Sequence, residues 1–227
     1  YYNIKLSRPA AYVLNSETSY EYTVGDCSTG DLDGDGQYEI IVKWDSNPQD
    51  NSNGGVTGNV LLDAYKLDGT LMWRIDLGRN IRSGAHYTQF LVYDFDLDGK
   101  AELTCKTAPG SKDANGNYVS EASSIANIKN TNDNETSYVN DGGYILTGDE
   151  YFTAFDGETG AALDTIYYPV QRISPSVWGD DYGNRVDRFL ADVAYLDGQK
   201  PYAVYWRGYY FGNGSQRTGI CAMTLDE

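Results

Sequence analysis

Asp31-Leu32-Asp33-Gly34-Asp35-Gly36-Gln37-Tyr38-Glu39, leading into Ile40-Ile41-Val42-Lys43-Trp44, is the stretch that decides the fold class. It returns 63 positions later as Asp94-Phe95-Asp96-Leu97-Asp98-Gly99-Lys100-Ala101-Glu102, leading into Leu103-Thr104-Cys105-Lys106. Each copy sets carboxylates at its first, third and fifth positions, a backbone carbonyl at the seventh and a glutamate at the ninth. Hard oxygen ligands in that order suit calcium, and the glycine after the third aspartate permits the sharp turn around an ion. An EF-hand closes at its twelfth position and lies between helices. Here the closing carboxylate comes earlier and β-branched, apolar residues follow, so each loop feeds a strand. Two copies in the same register argue against a pair of solvated acidic turns. At least two structural calcium ions are therefore expected. Asp31, Asp33, Asp35, Gln37 and Glu39 would hold one, and Asp94, Asp96, Asp98, Lys100 and Glu102 the other.

The composition agrees with strands. Twenty-one tyrosines favour sheet, while abundant Gly, Asn and Asp favour turns, so the chain reads as all-β. Its 227 residues suffice for one large β domain. Acidic residues outnumber basic ones 33 to 17, for a net charge of −16, which disfavours nucleic acid and anionic membrane as partners. An anionic substrate would be repelled too unless bound cations offset the charge. No apolar run is long enough to span a bilayer. No signal peptide is visible, and a start at Tyr1 without methionine is that of a processed or excised piece. Cys27, Cys105 and Cys221 are too few for a disulfide framework. Cys105, in phase with Leu103, is expected to be a buried free thiol, a single bridge being the alternative.

Taken in order, the chain repeats itself. A first unit, residues 20–76, has strands at 20–24, 38–44, 60–66 and 71–76, the last two joined across Asp68-Gly69, a strong hairpin signal. A second, residues 87–168, has strands at 87–93, 101–107, 150–155 and 161–168. It is interrupted by a polar insertion at 108–148, which is read as functional or mobile, with a short helix near 120–128. A partial third unit, residues 188–225, has strands at 188–195, 202–207 and 218–225. Its turn keeps Asp197, but Val193 and Tyr195 replace the first two ligands, so no calcium is expected there. Four antiparallel strands per radial repeat is the pattern of a β-propeller. Three blades cannot close a ring, so this single segment, 1–227, is expected to be part of a longer polypeptide.

Few residues can carry chemistry. His86, the only histidine, lies in a loop before a strand and either faces a ligand or holds the loop. Lys43 and Lys106 are equivalent one repeat apart, which suggests a structural role, pairing with calcium-loop carboxylates. Arg207, in Arg207-Gly208-Tyr209-Tyr210, offers a guanidinium for a sugar carboxylate and rings for a pyranose face, or else it packs. Asp26 and Asp45 flank the first loop and can hold a metal, bind a sugar hydroxyl or cap a turn.

Gly30-Asp31-Leu32-Asp33-Gly34-Asp35-Gly36-Gln37-Tyr38-Glu39, Lys43-Trp44-Asp45, Arg82-Ser83-Gly84-Ala85-His86-Tyr87-Thr88-Gln89, Trp178-Gly179-Asp180, Tyr182-Gly183-Asn184-Arg185 and Arg207-Gly208-Tyr209-Tyr210 occur in that order. Together they resemble the large bacterial rhamnogalacturonan lyases, which have an eight-bladed calcium-rich propeller. The resemblance covers nearly the whole chain and places it in the N-terminal part of that family's module. It implies a secreted polysaccharide lyase acting on the rhamnose–galacturonate backbone of pectin by β-elimination. It makes Asp26 a metal-associated residue and Asp45 a substrate contact. Arg82, His86, Arg207 and Tyr210 are added as substrate-binding residues, and His86, Lys106 and Arg207 as candidates for the base, whose identity the sequence does not fix. The family's asparagine before Asp26 is here Gly25, which removes one side-chain contact. The residues expected to hold an active-site calcium would follow Glu227, so the isolated segment is expected to be inactive. The other reading is a non-catalytic, calcium-stabilised propeller that binds ligands in the manner of an integrin or lectin.

Overall fold

The computed structural model describes residues 3–209 and 217–225. The chain is all-β, with thirteen strands and only three short helical turns among those residues. A two-residue hairpin, β1 (Tyr12–Val13) and β2 (Ser19–Tyr20), precedes three antiparallel sheets. The first sheet comprises β3 (Tyr22–Gly30), β4 (Glu39–Ser46), β5 (Leu61–Tyr65) and β6 (Leu71–Asp76), in chain order. The second comprises β7 (Phe90–Tyr93), β8 (Glu102–Thr107), β9 (Tyr151–Phe155) and β10 (Ala162–Tyr167), again in chain order. The third holds β11 (Phe189–Ala194), β12 (Tyr202–Arg207) and β13 (Gly219–Met223). The first strands of successive sheets lie side by side, β3 against β7 and β7 against β11.

Burial follows strand position. The central strands β4, β5, β8 and β9 are covered on both faces and so carry near-continuous apolar or paired polar residues. The edge strand β6 alternates, with Trp73 and Ile75 inward and Arg74 and Asp76 half-exposed. Leu62, Ile75, Leu103, Phe155 and their neighbours fill the space between the first two sheets. Phe95, Phe152, Tyr168, Phe189 and Tyr205 fill the space between the second and third. Tyr22, Trp44 and Tyr65 pack under Leu6 and Tyr12 of the lead-in.

The 108–148 insertion is neither structureless nor loose, contrary to the sequence expectation. Lys112 pairs with Asp76 and Tyr118 in isolated bridges, and Val119 and Ile128 are buried in the first core. A 3-10 turn, Val119–Ala122, and a four-residue helix, α1 (Ala126–Lys129), stand where one helix was expected. Asp113 and Asp133 anchor the insertion by accepting N–H groups of Asn115, Asn117 and Gly110 at 2.7–2.9 Å. Polar composition concealed this order because carboxylate–backbone bonds supply it.

Sheets one and two are locked where hairpin 156–160 meets the exit of the second acidic loop. The Trp73 indole donates to Gly157 O at 2.7 Å, and Ala101 N donates to Asp31 O at 2.7 Å. A β-carbon on residue 157 would lie 1.8 Å from Ala101 O, so only glycine fits. Gly157→Ala is expected to lower unfolding free energy by about 1–3 kcal/mol, measured by urea denaturation. An unchanged midpoint would mean that this contact is not part of the fold.

Candidate functional site

The two acidic loops have the same internal wiring. Glu39 Oε2 accepts Leu32 N at 2.9 Å, and Glu102 Oε2 accepts Phe95 N at 2.8 Å, so each closing glutamate ties back to the loop's second residue. The third-position aspartates, Asp33 and Asp96, accept the N–H two residues on at 3.2 and 3.1 Å. Asp31 takes Gly34 N and Gly36 N at 2.8 and 2.9 Å, while Asp94 Oδ2 takes Gly99 N at 3.1 Å. Such nested Asx turns hold the loop's carboxylates in place.

The consequence is two three-carboxylate clusters, Asp31–Asp33–Glu39 and Asp94–Asp96–Glu102. In each, one oxygen per residue lies within 4.8 Å of the others. Asp94 Oδ1 is buried without a hydrogen-bond partner. Burial, reinforced by Asp96, Asp94 and Asp98, pushes the Glu102 carboxyl up to about 7, and burial likewise raises Glu39. Converging hard oxygens, an orphaned acceptor and crowded like charges all fit a bound calcium ion, which would supply the missing positive charge.

The fifth-position aspartates stand outside these clusters. Asp35 and Asp98 accept the N–H groups of Gln37 and Lys100 at 2.8 and 2.7 Å. Lys100 reaches Glu158 at 2.5 Å, and Lys66 neutralises part of the first loop by pairing with Asp33 at 2.7 Å. Loop two also holds Leu97 at a φ of 69°, where its counterpart Gly34 has 76°, so a side chain sits in the left-handed region there. Asp197 in the third unit accepts Gln199 N and Lys200 N at 2.8 and 3.0 Å, and the Tyr202 hydroxyl at 3.1 Å. Its carboxylate is committed to the turn.

Asp26 is not part of either cluster. A bulge in β3 between Val24 and Cys27 turns Gly25 and Asp26 out of the ladder. Asp26 meets the buried Lys43 ammonium at 2.6 Å. Lys43 and Lys106 are thus paired, but with Asp26 and Glu150 rather than with loop carboxylates. Asp45 is 5% exposed and accepts Ser83 Oγ at 2.7 Å, and its other oxygen would lie 2.2 Å from a β-carbon on residue 25. Glycine there is what lets Asp45 sit against β3.

Arg207 and Lys106 are not accessible to a substrate, which corrects their reading as contacts or base. Arg207 is 0% exposed and clamps Glu150 at 2.6 and 3.0 Å while donating to Val186 O and Val170 O, both at 2.8 Å. Lys106 lies 3.5 Å from Glu150 and 4.4 Å over the Phe189 ring. Arg172 and Asp187 complete this buried charge cluster, and neither was singled out from the sequence. Burial alone would raise Glu150, but Arg172, Arg207 and Lys106 hold it well below the usual carboxylate range. Burial also pulls the Lys106 ammonium down, against the pull of Glu150 and Asp187. Arg82 is likewise internal. It donates to Asn53 O and Gly55 O at 2.6 and 3.1 Å and to the Tyr87 hydroxyl, and it lies 4.6 Å over Tyr144. Its work is to hold the 45–57 loop.

His86 stays half-exposed, with Nδ1 3.3 Å from the Tyr209 hydroxyl and its carbonyl accepting Phe189 N at 3.1 Å. It therefore holds its loop while keeping a reachable ring. Tyr209 was passed over because a tyrosine after a strand carries no distinguishing signal; Tyr210 lies outside the described residues. The three cysteines are free, and Cys105 is fully buried, which pushes its thiol up.

Antiparallel sheets launched from equivalent acidic loops define a repeat protein of the cation-loop kind. The chain belongs to rhamnogalacturonan lyase family 11, matching the description "Rhamnogalacturonan lyase family 11, C-terminal domain" over residues 1–222. That match to a C-terminal domain corrects the expectation of an N-terminal part. The chain is 53% identical over 211 residues to rhamnogalacturonan endolyase YesW of Bacillus subtilis, covering 92% of this chain and 32% of that protein. It is 52% identical over 208 residues to rhamnogalacturonan exolyase YesX of the same organism, covering 91% and 32%. The crystal structure of YesW superposes with a TM-score of 0.88 at 50% identity, covering 99% of this chain and 36% of that one. The rhamnogalacturonan lyase PL11 of Bacillus licheniformis superposes with 0.86 at 54% identity, covering 98% and 35%. The chain thus spans about a third of the relatives it matches.

Calcium is expected to raise the melting temperature of the wild type. Asp33→Ala combined with Asp96→Ala should abolish that increment, as read by a thermal scan with and without chelator. A wild type indifferent to calcium would remove the metal assignment. Burial, with Arg188 next, lowers the His86 pKa from the usual 6.5. On acidification below that value the unfolded chain takes up the proton first, so His86 contributes a loss of stability towards acid pH. Being the only histidine, it should give one imidazole NMR titration with a midpoint below 6.5. A midpoint at or above 6.5 would contradict its desolvation.

Proposed function

We propose that this chain is part of a secreted, calcium-dependent rhamnogalacturonan lyase that cleaves the rhamnose–galacturonate backbone of pectin by β-elimination. The observation that carries the proposal is the family match over residues 1–222 with both acidic loops intact. The three sheets are read as successive blades, about 20–76, 87–168 and 188–225, of a propeller completed by the rest of the same polypeptide. Adjacent first strands and the relatives' threefold greater length support that arrangement.

β-Elimination needs the galacturonate C5 proton removed and the O4 substituent expelled. A cation on the uronate carboxylate stabilises the charge that develops. On this chain, the accessible polar groups are Asp26, paired with Lys43, and His86 with Tyr209. They can orient sugar hydroxyls. His86, with its lowered pKa, can accept a proton at Nε2 near neutral pH. Lys106 and Arg207 leave the list of candidate bases because they are sealed within the Glu150 cluster.

That sealing also favours a second reading for the segment by itself: a calcium-stabilised frame that binds the polymer without cleaving it. Near-equal identity to an endolyase and an exolyase leaves the mode of action open to experiment. The full-length protein incubated with rhamnogalacturonan should produce rising ultraviolet absorbance from the unsaturated uronide, lost on chelation. A flat trace with the intact protein and calcium would overturn the lyase reading, and a rise that survives chelation would overturn calcium dependence.

A further inference from the structure

The Glu150 cluster is unbalanced. Lys106, Arg172 and Arg207 share two carboxylates, Glu150 and Asp187, leaving one positive charge in excess. Glu150 Oε1 already receives all three cations, at 3.5, 2.6 and 3.0 Å. Arg207 directs its other donors to Asp187 and to the carbonyls of Val186 and Val170. The excess therefore falls on Arg172. It is 5% exposed, yet its Nε and Nη1 have no hydrogen-bond partner. Two N–H groups of a buried guanidinium left unmatched are costly unless a ligand or water meets them.

Arg172 also forms part of the wall of a cavity of about 500 Å³ that opens to solvent. Asp149, Gln171 and Tyr167 line the same cavity, with Glu150 at its floor. A doubly charged anion such as phosphate would meet the Asp149 and Glu150 carboxylates at close range. A singly charged carboxylate carried on a polyol fits better. Arg172 can take the charge, Asp149 and Gln171 can take hydroxyls, and the Tyr167 ring offers a flat apolar face.

We propose that this cavity is a uronate-binding subsite, with Arg172 as its carboxylate anchor, separate from the acidic loops and from the Asp26–Lys43 and His86 groups. Naming galacturonate as the uronate rests on the pectin reading above. The subsite would hold a stretch of the polymer away from the cleaved bond, so it is a binding element and no bond changes there.

The test uses the full-length protein with calcium, titrated with galacturonate, with galactose as its neutral counterpart, and with sodium chloride. Trp178 donates to the Arg172 carbonyl at 2.6 Å, so tryptophan fluorescence reports on the site, and calorimetry confirms the affinity. The wild type should bind galacturonate and not galactose. Arg172→Gln should weaken galacturonate binding by about tenfold or more, the effect of losing one charge-assisted contact. Arg172 also braces Glu150, so a second variant, Gln171→Ala with Asp149→Ala, alters only exposed rim residues. It should weaken binding several-fold while leaving the melting temperature unchanged. Equal binding of galactose and galacturonate, equal affinity in wild type and both variants, or saturation by chloride alone would each overturn the subsite. Failure of the lyase reading is distinguishable: Arg172-dependent binding would persist while the ultraviolet trace stays flat. Failure of the subsite leaves the trace rising and the affinity indifferent to Arg172.

Discussion

The bond from each closing glutamate back to the second residue of its own loop is the constraint on which the architecture turns. Glu39 holds Leu32 N and Glu102 holds Phe95 N, and both glutamates are nearly fully buried. The tie fixes the loop's curvature and sets the first residue of the next strand, since β4 and β8 begin at those same glutamates. It also tucks Leu32 and Phe95 into the two main cores. One carboxylate thus couples a polar turn to strand register and to packing between sheets. A buried glutamate surrounded by aspartates is an unfavourable charge in isolation. A cation at the cluster offsets that cost, which gives the loops a structural reason to be acidic.

A second polar centre works differently. Glu150 precedes β9 in chain order, Arg207 ends β12, and Asp187 and Arg172 come from the segments between sheets two and three. Hydrophobic packing of Phe152, Tyr168, Phe189 and Tyr205 brings these sheets together, but it is non-directional. The bidentate Arg207–Glu150 pair, with aromatic rings around the guanidinium, adds the orientation that packing lacks. Buried ion pairs contribute little net stability against apolar replacements, so specificity of docking is the better account of this one.

The acidic loops, the strands they launch and the Asp68-Gly69 hairpin were legible because local chemistry dictates them. Ligand spacing, alternation and turn residues all act within ten or so positions of chain. What was not legible depends on partners far apart in sequence. Arg207 looked like a sugar contact because arginine beside tyrosines suits that role, and only the arrival of Glu150 from 57 residues away turns it inward. Lys43 and Lys106 were correctly grouped as equivalent, yet their partners come from a bulge and from an inter-strand segment that carry no ligand-like signal. The 108–148 insertion misled for a related reason, since its Asp113 and Asp133 order the backbone from outside the alternation that betrays a strand.

Charge placement separates the two polar centres by task. The loops concentrate negative charge at clusters that a hard cation can satisfy, and Lys66 and Lys100 temper it only at the rim. The Glu150 cluster concentrates positive charge where no bound cation would help, and its surplus lies on the one arginine that borders a cavity. In a chain of net charge −16, a buried positive surplus next to an open cavity runs against the overall field. Such a surplus is easiest to understand where the anion it awaits comes from outside the chain. An acidic protein that must hold an acidic polymer needs both devices. Cations lower the general repulsion, and a fixed guanidinium gives one carboxylate a defined place to rest.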